Sequence, residues 1–572
     1  MKRLVTLIMA IVMMLSATAA LADLTTEGPI RVIPDAKARI VPEGEDVTLT
    51  IFGSLQPNTL ESYSREVNLT TQLIEKDTGL KLEFIEAPAD GADAKLNLLL
   101  NSGSYPDIIM YKGIKKAAMD QYAQSGIFVA LDDYISEETT PNTVDLFNYN
   151  PATKAYVTGS DGHIYSLPDY NEAYHCMYGE GRAWYSMPFM AQYEDGEPQT
   201  TEELMDYLRW IRDNDVNGNG DPSDEVPLAF YANNTDRFLR WVSNFYQVTP
   251  NEHYRVDVDG SGEVVACFTT EEYKMALEYA HSLYAEGLIL QDSFSISVDD
   301  LRAIGEAPAG ETLGLIIGWG PEEGVVKAGE TNRWFDYFVL APVEGENGQR
   351  HTIYNANYPC QGGWFITDKC PAEYVQYAVR LGDLFLDEYY GYSAYLGVKG
   401  VAWDDPSSEE ALGINGEQAW FRELVNYGTQ PVNSSWDQKA PSNRYAQFRL
   451  SQEADGAPEI MEYCDGNLAL KDTVVPLSSY NEVMKYYGCQ KNLEKYAFGA
   501  EWCVPALLYD PSIADQANDS ETAINEYRKE MAVAFITGTR SLDEYDAYVE
   551  ELYTMGLQLV LDAKNDAYSV LK

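Results

Sequence analysis

The sequence predicts an α/β protein of at least two lobes. The chain has 572 residues, which is more than one hydrophobic core usually serves. Strand-like and helical segments alternate over the first part of the chain, and helical patterns with a few strands between them continue from about residue 199 to the end. The early alternation indicates right-handed β–α–β units, and therefore a parallel sheet in the first lobe.

Five consecutive segments predict this first sheet. Each strand is a short β-rich or apolar run, and the first helical pattern stops at Gly79, a residue that commonly ends helices. The predicted order is strand 47–52, helix 61–78, strand 80–85, helix 94–101 and strand 107–110.

The rest of the chain is dominated by helices. Thr200 followed by Glu203 forms a capping box that opens a helix at 202–212, and a second helix at 273–286 stops at Gly287. Strands are predicted at 312–318 and 335–341. Trp210 and Trp241 lie within helical patterns and are predicted to be core side chains.

The first residues predict export. Lys2 and Arg3 precede an apolar run at 4–15 and a small-residue stretch that ends at Ala22, which is the pattern of a cleaved signal peptide over 1–22. The run is too short to cross a bilayer, which requires about 20 apolar residues. We expect a flexible leader at 23–46 and a secreted protein, extracellular or periplasmic. The first cysteine is Cys176, so a lipid anchor next to the signal peptide is not expected.

The net charge and the composition of the chain exclude some classes of binding partner. With 90 acidic and 40 basic residues the net charge is −50, which argues against nucleic acid and anionic membranes because both require a basic face. The 42 tyrosines suit stacking on sugar rings while their hydroxyl groups stay hydrogen-bonded. The seven cysteines are far apart and form no CxxC pair, so neither a zinc site nor a complete disulfide framework is predicted.

A series of short motifs occurs in order along nearly the whole chain. They are NSGSYPDII at 101–109, YAQSG at 122–126, LDD at 131–133, DGHIYSLP at 161–168, LYAEGLI at 283–289 and FITGTR at 535–540. This series resembles the extracellular solute-binding proteins of carbohydrate ABC importers, in the branch of the alginate- and maltose-binding relatives.

The resemblance implies a two-lobed periplasmic-binding-protein-like fold of type II, with a hinge and a ligand cleft between the lobes. It places the N-terminal lobe at 30–166 plus 350–404 and the C-terminal lobe at 168–345 plus 408–572. The implied function is capture of an oligosaccharide or sugar derivative and its delivery to an ABC transporter permease, by a monomer that performs no chemistry.

Two other classes stay open at this point. The sequence has no G-x-S-x-G, H-E-x-x-H or P-loop motif, and its five histidines are dispersed. A secreted glycoside hydrolase remains an alternative, because among 90 carboxylates some pair will always lie at a suitable separation. A surface glycan-binding adhesin is the other alternative.

The loop at 215–225 is a candidate calcium site. Oxygen-bearing side chains at its first, third and fifth positions, with Gly220 at the sixth, resemble the first half of an EF-hand loop. Alginate-binding relatives hold calcium in a similar loop, and the implied structural Ca²⁺ ligands are Asp215, Asn217, Asn219, Asp221 through its carbonyl, Asp224 and Glu225. Pro222 and Ser223 lengthen this loop by one residue, and the alternative is an Asn-Gly turn without metal.

A second acidic turn, at 257–262, is predicted to be a hairpin instead. The twelfth position counted from Asp257 is Phe268, which cannot complete a calcium site.

Candidate sugar-binding residues follow predicted strands, where the cleft of an α/β protein opens. Tyr111 and Trp319 are at positions similar to those of stacking aromatics in maltose-binding relatives. The remaining candidates are Ser54 and Gln56 after the first strand, Arg182 and Trp184 after the first crossover, and Trp364 and Trp403 in the returning segment.

Overall fold

The computed structural model describes residues 38–55, 60–88, 91–169, 174–327, 329–354, 361–425, 431–436, 450–505, 507, 509–510 and 512–570. The predicted signal peptide, most of the predicted leader and Gln56 lie outside these ranges.

Two sheets carry most of the strands. In chain order the strands are β1 (Thr48–Ser54), β2 (Lys81–Ala87), β3 (Ile108–Met110), β4 (Leu167–Asp169), β5 (Ala183–Ser186), β6 (Val226–Ala229), β7 (Tyr254–Val256), β8 (Val264–Ala266), β9 (Leu313–Ile317), β10 (Tyr337–Val339), β11 (Gln361–Ile366), β12 (Trp403–Asp404) and β13 (Arg422–Glu423).

The first sheet has the order β2-β1-β3-β11-β4. β1 is parallel to β2 and to β3, as predicted, whereas β11 is antiparallel to both β3 and β4. β11 follows the strands of the second sheet in sequence, so the chain leaves the first sheet after β4 and returns to it. We call the region built on this sheet the first lobe.

The second sheet has the order β10-β5-β9-β6 and defines the second lobe. β6 is parallel to β9, while β5 is antiparallel to β9 and to β10. The chain therefore crosses between the lobes from β4 to β5 and again from β10 to β11.

Helices cover both sheets and form the C-terminal part of the chain. In chain order they are α1 (Leu69–Thr78), α2 (Ala92–Ser102), α3 (Lys116–Gln124), α4 (Pro141–Tyr149), α5 (Pro151–Val157), α6 (Tyr174–Met177), α7 (Met187–Met190), α8 (Thr201–Asp213), α9 (Thr235–Ser243), α10 (Glu271–Ala285), α11 (Val298–Gly305), α12 (Val375–Leu384), α13 (Glu388–Tyr395), α14 (Ala457–Cys464), α15 (Lys471–Val474), α16 (Tyr480–Gly488), α17 (Ala514–Ile536), α18 (Tyr545–Thr554) and α19 (Leu557–Ser569).

The first helix is shorter than predicted. It begins at Leu69 because the Asn68 side chain accepts a hydrogen bond from the Thr71 amide, and it ends at Gly79, whose φ is 76°. The predicted cap at Thr200 is confirmed, since its side chain accepts from the Glu203 amide at 3.2 Å. Local capping chemistry thus sets both helix starts.

The second lobe has the larger core. Its buried side chains come from the second sheet and from α8, α9, α10, α14 and α16 to α19, and they include Trp241 as predicted. Trp210 is half-buried and stacks on Tyr207 with ring centroids 6.1 Å apart. The hairpin predicted at 257–262 is confirmed, because it joins the antiparallel strands β7 and β8.

Each face of the first sheet has its own core, with Ile51 and Trp364 on one side and Phe52 and Phe365 on the other. A separate small cluster surrounds Trp403. None of the described helices combines the length and apolarity that a bilayer crossing requires.

Candidate functional site

Trp319 lies at one edge of the second sheet. It follows the carboxyl end of β9, and β5 runs antiparallel with Ala183 opposite Ile317, so Arg182 reaches the same edge. The half-buried indole of Trp319 lies between two guanidinium groups, with that of Arg182 5.7 Å and that of Arg237 5.5 Å from the ring centroid. This arrangement holds the ring in place by cation–π contacts.

Buried ion pairs fix these cations. Glu180 contacts Arg237 at 3.2 Å and Arg240 at 2.7 Å. Burial alone raises the pKa of Glu180, but Arg240 and Arg237 outweigh it and lower the pKa, so the carboxylate stays ionised. Glu323 pairs with Arg237 at 3.5 Å and accepts from the Trp319 amide at 2.9 Å. The edge beside Trp319 is therefore polar and rigid.

Four tyrosines form a cluster next to the crossovers between the lobes, which we call the tyrosine cluster. Tyr174 and Tyr178 lie on the connection from β4 to β5, Tyr354 on the return to β11, and Tyr486 on α16. The ring of Tyr174 is 5.3 Å from that of Tyr178 and 5.2 Å from that of Tyr486, and Tyr178 is 5.8 Å from Tyr354. Sequence reasoning missed this cluster, although the high tyrosine content was a general signal for it.

Tyr111 lies at the matching edge of the first sheet, directly after β3. Its half-buried ring packs edge-on against Phe52 at 5.9 Å, and its hydroxyl donates to Asp93 at 2.7 Å. Burial and this hydrogen bond raise the pKa of Tyr111 to about 12. Ser54 ends β1 and is buried, and its carbonyl oxygen accepts from the Tyr63 hydroxyl at 2.7 Å.

A groove with a volume of about 360 Å³ lies between the two lobes. Its first wall belongs to the first lobe, around the start of α3, and its second wall to the second lobe, around α17 and α19. The lining includes Lys115, Lys116 and Asp120 on the first wall and Tyr509, Glu521 and Lys564 on the second. A cavity of this size suits a small ligand held by both lobes.

Chains of hydrogen bonds link the residues beside the groove to the other two features. The Cys503 thiol donates to the Tyr354 carbonyl at 3.4 Å, and the next residue, Val504, lines the groove. Arg240, which binds Glu180, also donates to the Asn251 carbonyl at 3.4 Å, and Glu252 lines the groove. The groove is thus linked to the tyrosine cluster through Cys503 and to the Glu180 ion pairs through Arg240, whereas Trp319 itself does not line it.

Four further residues that were predicted to bind the ligand are buried in this structure. Trp184, Trp364 and Trp403 have 0%, 0% and 1% of their surface exposed, and their indole N–H groups donate to the carbonyl oxygens of Gly318, Ala378 and Gly397. Arg182 is 0% exposed and donates to the Trp319 carbonyl at 3.2 Å. These four side chains therefore present no surface to a ligand in this conformation, and their part in ligand binding stays a prediction.

The loop at 215–225 is organised by its own polar groups. Asp215 accepts from the amides of Asn219 and Gly220 at 3.0 and 2.9 Å. The side-chain amides of Asn217 and Asn219 donate to the two Asp224 oxygens at 3.2 and 2.7 Å. Asp215, Asn217, Asn219 and Asp224 are thus joined in one hydrogen-bonded network.

One oxygen of this loop has no partner among the described residues. Glu225 is 7% exposed, and its Oε2 is buried without a hydrogen bond, while Oε1 accepts from the Asn217 amide at 3.1 Å. Burial raises the pKa of Glu225. Within the described ranges, no group of three or more His, Cys, Asp or Glu side chains is placed to hold a metal ion. The donor set fits a hard cation, because Asn side chains can turn their oxygens inward and Glu225 has an oxygen to give.

Comparison with known proteins gives one family. The family model described as bacterial extracellular solute-binding protein matches residues 71–372. The fructooligosaccharide ABC transporter substrate-binding protein FusA of Streptococcus pneumoniae serotype 4 is 24% identical over 547 residues, which cover 94% of this chain and 93% of FusA.

Solved structures show the same fold. S. pneumoniae FusA in complex with kestose has a TM-score of 0.71 at 20% identity and covers 92% of this chain and 100% of that chain. A FusA EF-hand mutant in complex with fructo-nystose has the same TM-score, identity and coverage. The alginate-binding protein AlgQ2 without calcium ion has a TM-score of 0.64 at 18% identity, covering 93% of this chain and 99% of AlgQ2.

These likenesses confirm the predicted solute-binding-protein fold, since each extends over nearly the whole of both chains. The family model spans slightly more than half of the 572 residues and includes every strand of the two sheets except β1. The chain therefore belongs to the bacterial extracellular solute-binding protein family.

Proposed function

We propose that this protein captures a carbohydrate, an oligosaccharide or sugar derivative, in the groove between its lobes and delivers it to the permease of an ABC transporter. The observation that carries the proposal is the groove itself, which residues of both lobes line. The relatives' names, fructooligosaccharide transport for FusA among them, support it.

Sugar recognition follows from the chemistry of these groups. Sugar rings have apolar faces that stack on aromatic rings and hydroxyl groups that exchange hydrogen bonds with polar side chains. Closure of two rigid lobes on such a ligand excludes water, which strengthens those hydrogen bonds. We infer that Trp319 and Tyr111, which follow strands of the second and the first lobe and do not line the groove in this conformation, contact the sugar when the lobes close on it.

Titration calorimetry of the purified protein against an oligosaccharide panel tests the proposal, with chromatography of the same samples afterwards. The expected result is saturable binding with the glycan recovered unchanged. Product formation would establish a glycoside hydrolase instead, and absence of binding across the panel would contradict sugar capture.

Trp319→Ala is expected to weaken sugar binding about tenfold, the loss of one aromatic stacking contact. Trp210→Ala is the matched control, because Trp210 is also a half-buried indole of the second lobe but stacks on Tyr207. Equal affinities in the two variants would remove Trp319 from the site.

The partner and the location belong to the same proposal. We infer a secreted monomer, processed after residue 22, that docks on a membrane permease. Deletion of the gene should abolish growth on the bound sugar, and the mature N-terminus determined by mass spectrometry should be Asp23.

We also propose that the loop at 215–225 binds a structural Ca²⁺ through Asp215, Asn217, Asn219, the Asp221 carbonyl, Asp224 and Glu225. The buried Oε2 of Glu225 supports this, since a cation would supply the partner that it lacks among the described residues. When bound, the ion would neutralise the crowded carboxylates and tie α8 to β6, the elements on either side of the loop.

A further inference from the structure

The groove is electrically balanced in a strongly acidic molecule. The whole chain has a net charge of −50. The groove, however, is lined by Lys115, Lys116 and Lys564 and by Asp120, Glu252 and Glu521, so these formal charges cancel. A balanced lining contrasts with the rest of the molecule and bears on which ligands the groove accepts.

On the first wall the charge is paired within α3. Lys116 contacts both Asp120 oxygens at 2.9 Å. Asp120 is 8% exposed, and its Oδ1 also accepts from the Ser160 amide at 3.0 Å. The carboxylate is thus held by three hydrogen bonds, and the lysine that faces the groove is already neutralised.

On the second wall the pair joins two helices. Lys564 of α19 contacts Glu521 of α17 at 2.9 Å and is 8% exposed. Its ammonium group lies 4.5 Å from the ring centroid of Tyr254, and the Tyr509 hydroxyl donates to Glu521 at 3.3 Å. Burial alone lowers the pKa of Lys564, but Glu521 and Tyr509 outweigh it and the pKa is raised, so the ammonium group stays charged.

An anionic sugar gains little from such a lining. A uronate that took Lys116 or Lys564 as its partner would leave the buried Asp120 or the half-buried Glu521 without its cation, which is unfavourable. The exposed Lys115 and Glu252 carry opposite charges and cancel in their effect on a ligand. A neutral sugar, by contrast, can exchange hydrogen bonds with these groups without breaking either pair.

We propose that the groove selects uncharged oligosaccharides, and that the ion pairs Lys116–Asp120 and Lys564–Glu521 exclude uronate-containing ones. This inference rests on the proposed function of sugar capture. It assigns Asp120 and Glu521 a role in specificity through the lysines that they neutralise.

The first experiment measures binding of length-matched trimers and tetramers by calorimetry at low and moderate salt. One set is neutral, with fructo-, manno- and galacto-oligosaccharides, and the other is oligoalginate and oligogalacturonate. We expect a member of the neutral set to bind with an affinity insensitive to salt, because no net charge is neutralised, and the uronates to bind at least tenfold more weakly.

The second experiment removes the carboxylate that neutralises one lysine of the groove. Asp120→Asn keeps an oxygen for the Ser160 amide but removes the charge that holds Lys116, and Glu521→Gln does the same for Lys564. Each is expected to shift the ratio of uronate to neutral association constants by about threefold to tenfold towards the uronate, and to make uronate binding salt-sensitive. Asp299→Asn is the matched control, since it removes one charge from an exposed ion pair with Arg302 that does not line the groove.

The outcomes separate the two proposals. Uronates that bind the unaltered protein as tightly as neutral sugars would overturn the charge argument and leave sugar capture standing. An equal shift in Asp120→Asn and Asp299→Asn would also overturn it, because the effect would then follow net charge alone. Failure of both sets to bind would overturn the proposed function itself, and this inference with it.

Discussion

The ring of Trp319 packs directly on the backbone of Gly179. A Cβ atom built on Gly179 would lie 2.4 Å from Cζ3 of the indole, a distance that real Cβ contacts do not reach. Gly179 also immediately precedes Glu180, whose ion pairs hold Arg237 over the same ring. A single methyl group at this position must therefore displace the indole.

Gly179→Ala is accordingly expected to reduce sugar affinity about tenfold, because the displaced ring loses its stacking geometry. Calorimetry with the sugar identified in the panel measures the loss. Gly91→Ala is the control, since Gly91 has an ordinary φ of −124° and a Cβ atom built on it would meet only the side chain of Pro88, at 3.3 Å. Unchanged affinity in Gly179→Ala would show that the Trp319 ring is not positioned by this contact.

For single residues, the sequence predicted where a side chain lies relative to a strand better than it predicted whether that side chain is exposed. Tyr111 and Trp319 do lie half-buried at strand ends, because residues after buried strands must emerge at a sheet edge. Trp364 also belongs to a strand, yet its ring enters the core, since a strand inside a sheet covered by helices is buried on both faces. The sequence pattern does not show which face a side chain takes when both are apolar.

Capping side chains fix where individual helices begin, and the cap Asp387 makes the free energy of unfolding depend on pH in an unusual way. Its side chain accepts from the Tyr389 amide at 3.0 Å at the start of α13. Burial raises the pKa of Asp387 to about 7 from its ordinary 3.8, although the backbone hydrogen bonds act against this. Between these values the folded chain holds a proton that the unfolded chain has released, so the free energy of unfolding falls as pH rises through this window.

Asp387→Asn should remove that fall while keeping a cap, because Asn caps helices as well as Asp does. We expect the variant's Tm to exceed that of the unaltered protein by about 2 °C at pH 8 and to show no such gain near pH 4. Thermal unfolding across this range measures it. Asp546→Asn, an exposed acidic residue in the first turn of α18, is the control and should show no gain that grows with pH.

The loop between α8 and β6 offers a second test at the element scale. Bound Ca²⁺ should stabilise the native state by mass action, by about 2.7 kcal/mol at a concentration 100-fold above Kd. Tm should therefore rise with calcium and fall with a chelator. Asp215→Ala should abolish most of that difference, because it removes the first ligand of the loop.

Asp257→Ala is the matched control for the calcium test. Asp257 begins a similar acidic turn, and its Oδ2 accepts from the Ser261 amide at 2.7 Å within the hairpin of β7 and β8. The calcium response should survive this change. A Tm indifferent to both calcium and chelator in the unaltered protein would leave the loop at 215–225 as a polar turn.

Elements with strong local signals were predicted best. The strands β1 to β3 and the helices α1, α2, α8 and α10 all exist, with ends that differ from prediction by a few residues or, for α1, by two turns. The α1 discrepancy has a physical cause, since the backbone amide of Tyr63 and the Ser62 hydroxyl bond to Glu86 instead of entering a helix. Such long-range hydrogen bonds cannot be derived from local periodicity.

At the scale of the whole molecule, the sequence pattern predicted two lobes but not how they share the chain. β11 inserts between β3 and β4 although more than 190 residues separate it from β4. Likewise, Lys116 and Glu521 line the same groove although they are far apart in the sequence. The family resemblance implied that each lobe is built from two separate segments of the chain. The lobe boundaries 30–166 plus 350–404 and 168–345 plus 408–572 stay predictions. The strand at Leu167–Asp169 pairs within the first sheet.

The arrangement of the lobes leads to a prediction about shape. The chain crosses from β4 to β5 and back from β10 to β11, and the groove lies between the bodies that these crossovers join. A ligand that contacts both walls binds the closed arrangement better than the open one, so it shifts the population towards closure. Small-angle scattering of the monomer should show a radius of gyration near the ~24 Å of a compact chain of this length, and a decrease on saturation with the bound sugar. A glycan that fails to bind in calorimetry serves as the control and should leave the scattering unchanged. If the radius of gyration stayed constant while calorimetry showed full occupancy, the sugar would be held by one lobe alone, and the groove would not be its site.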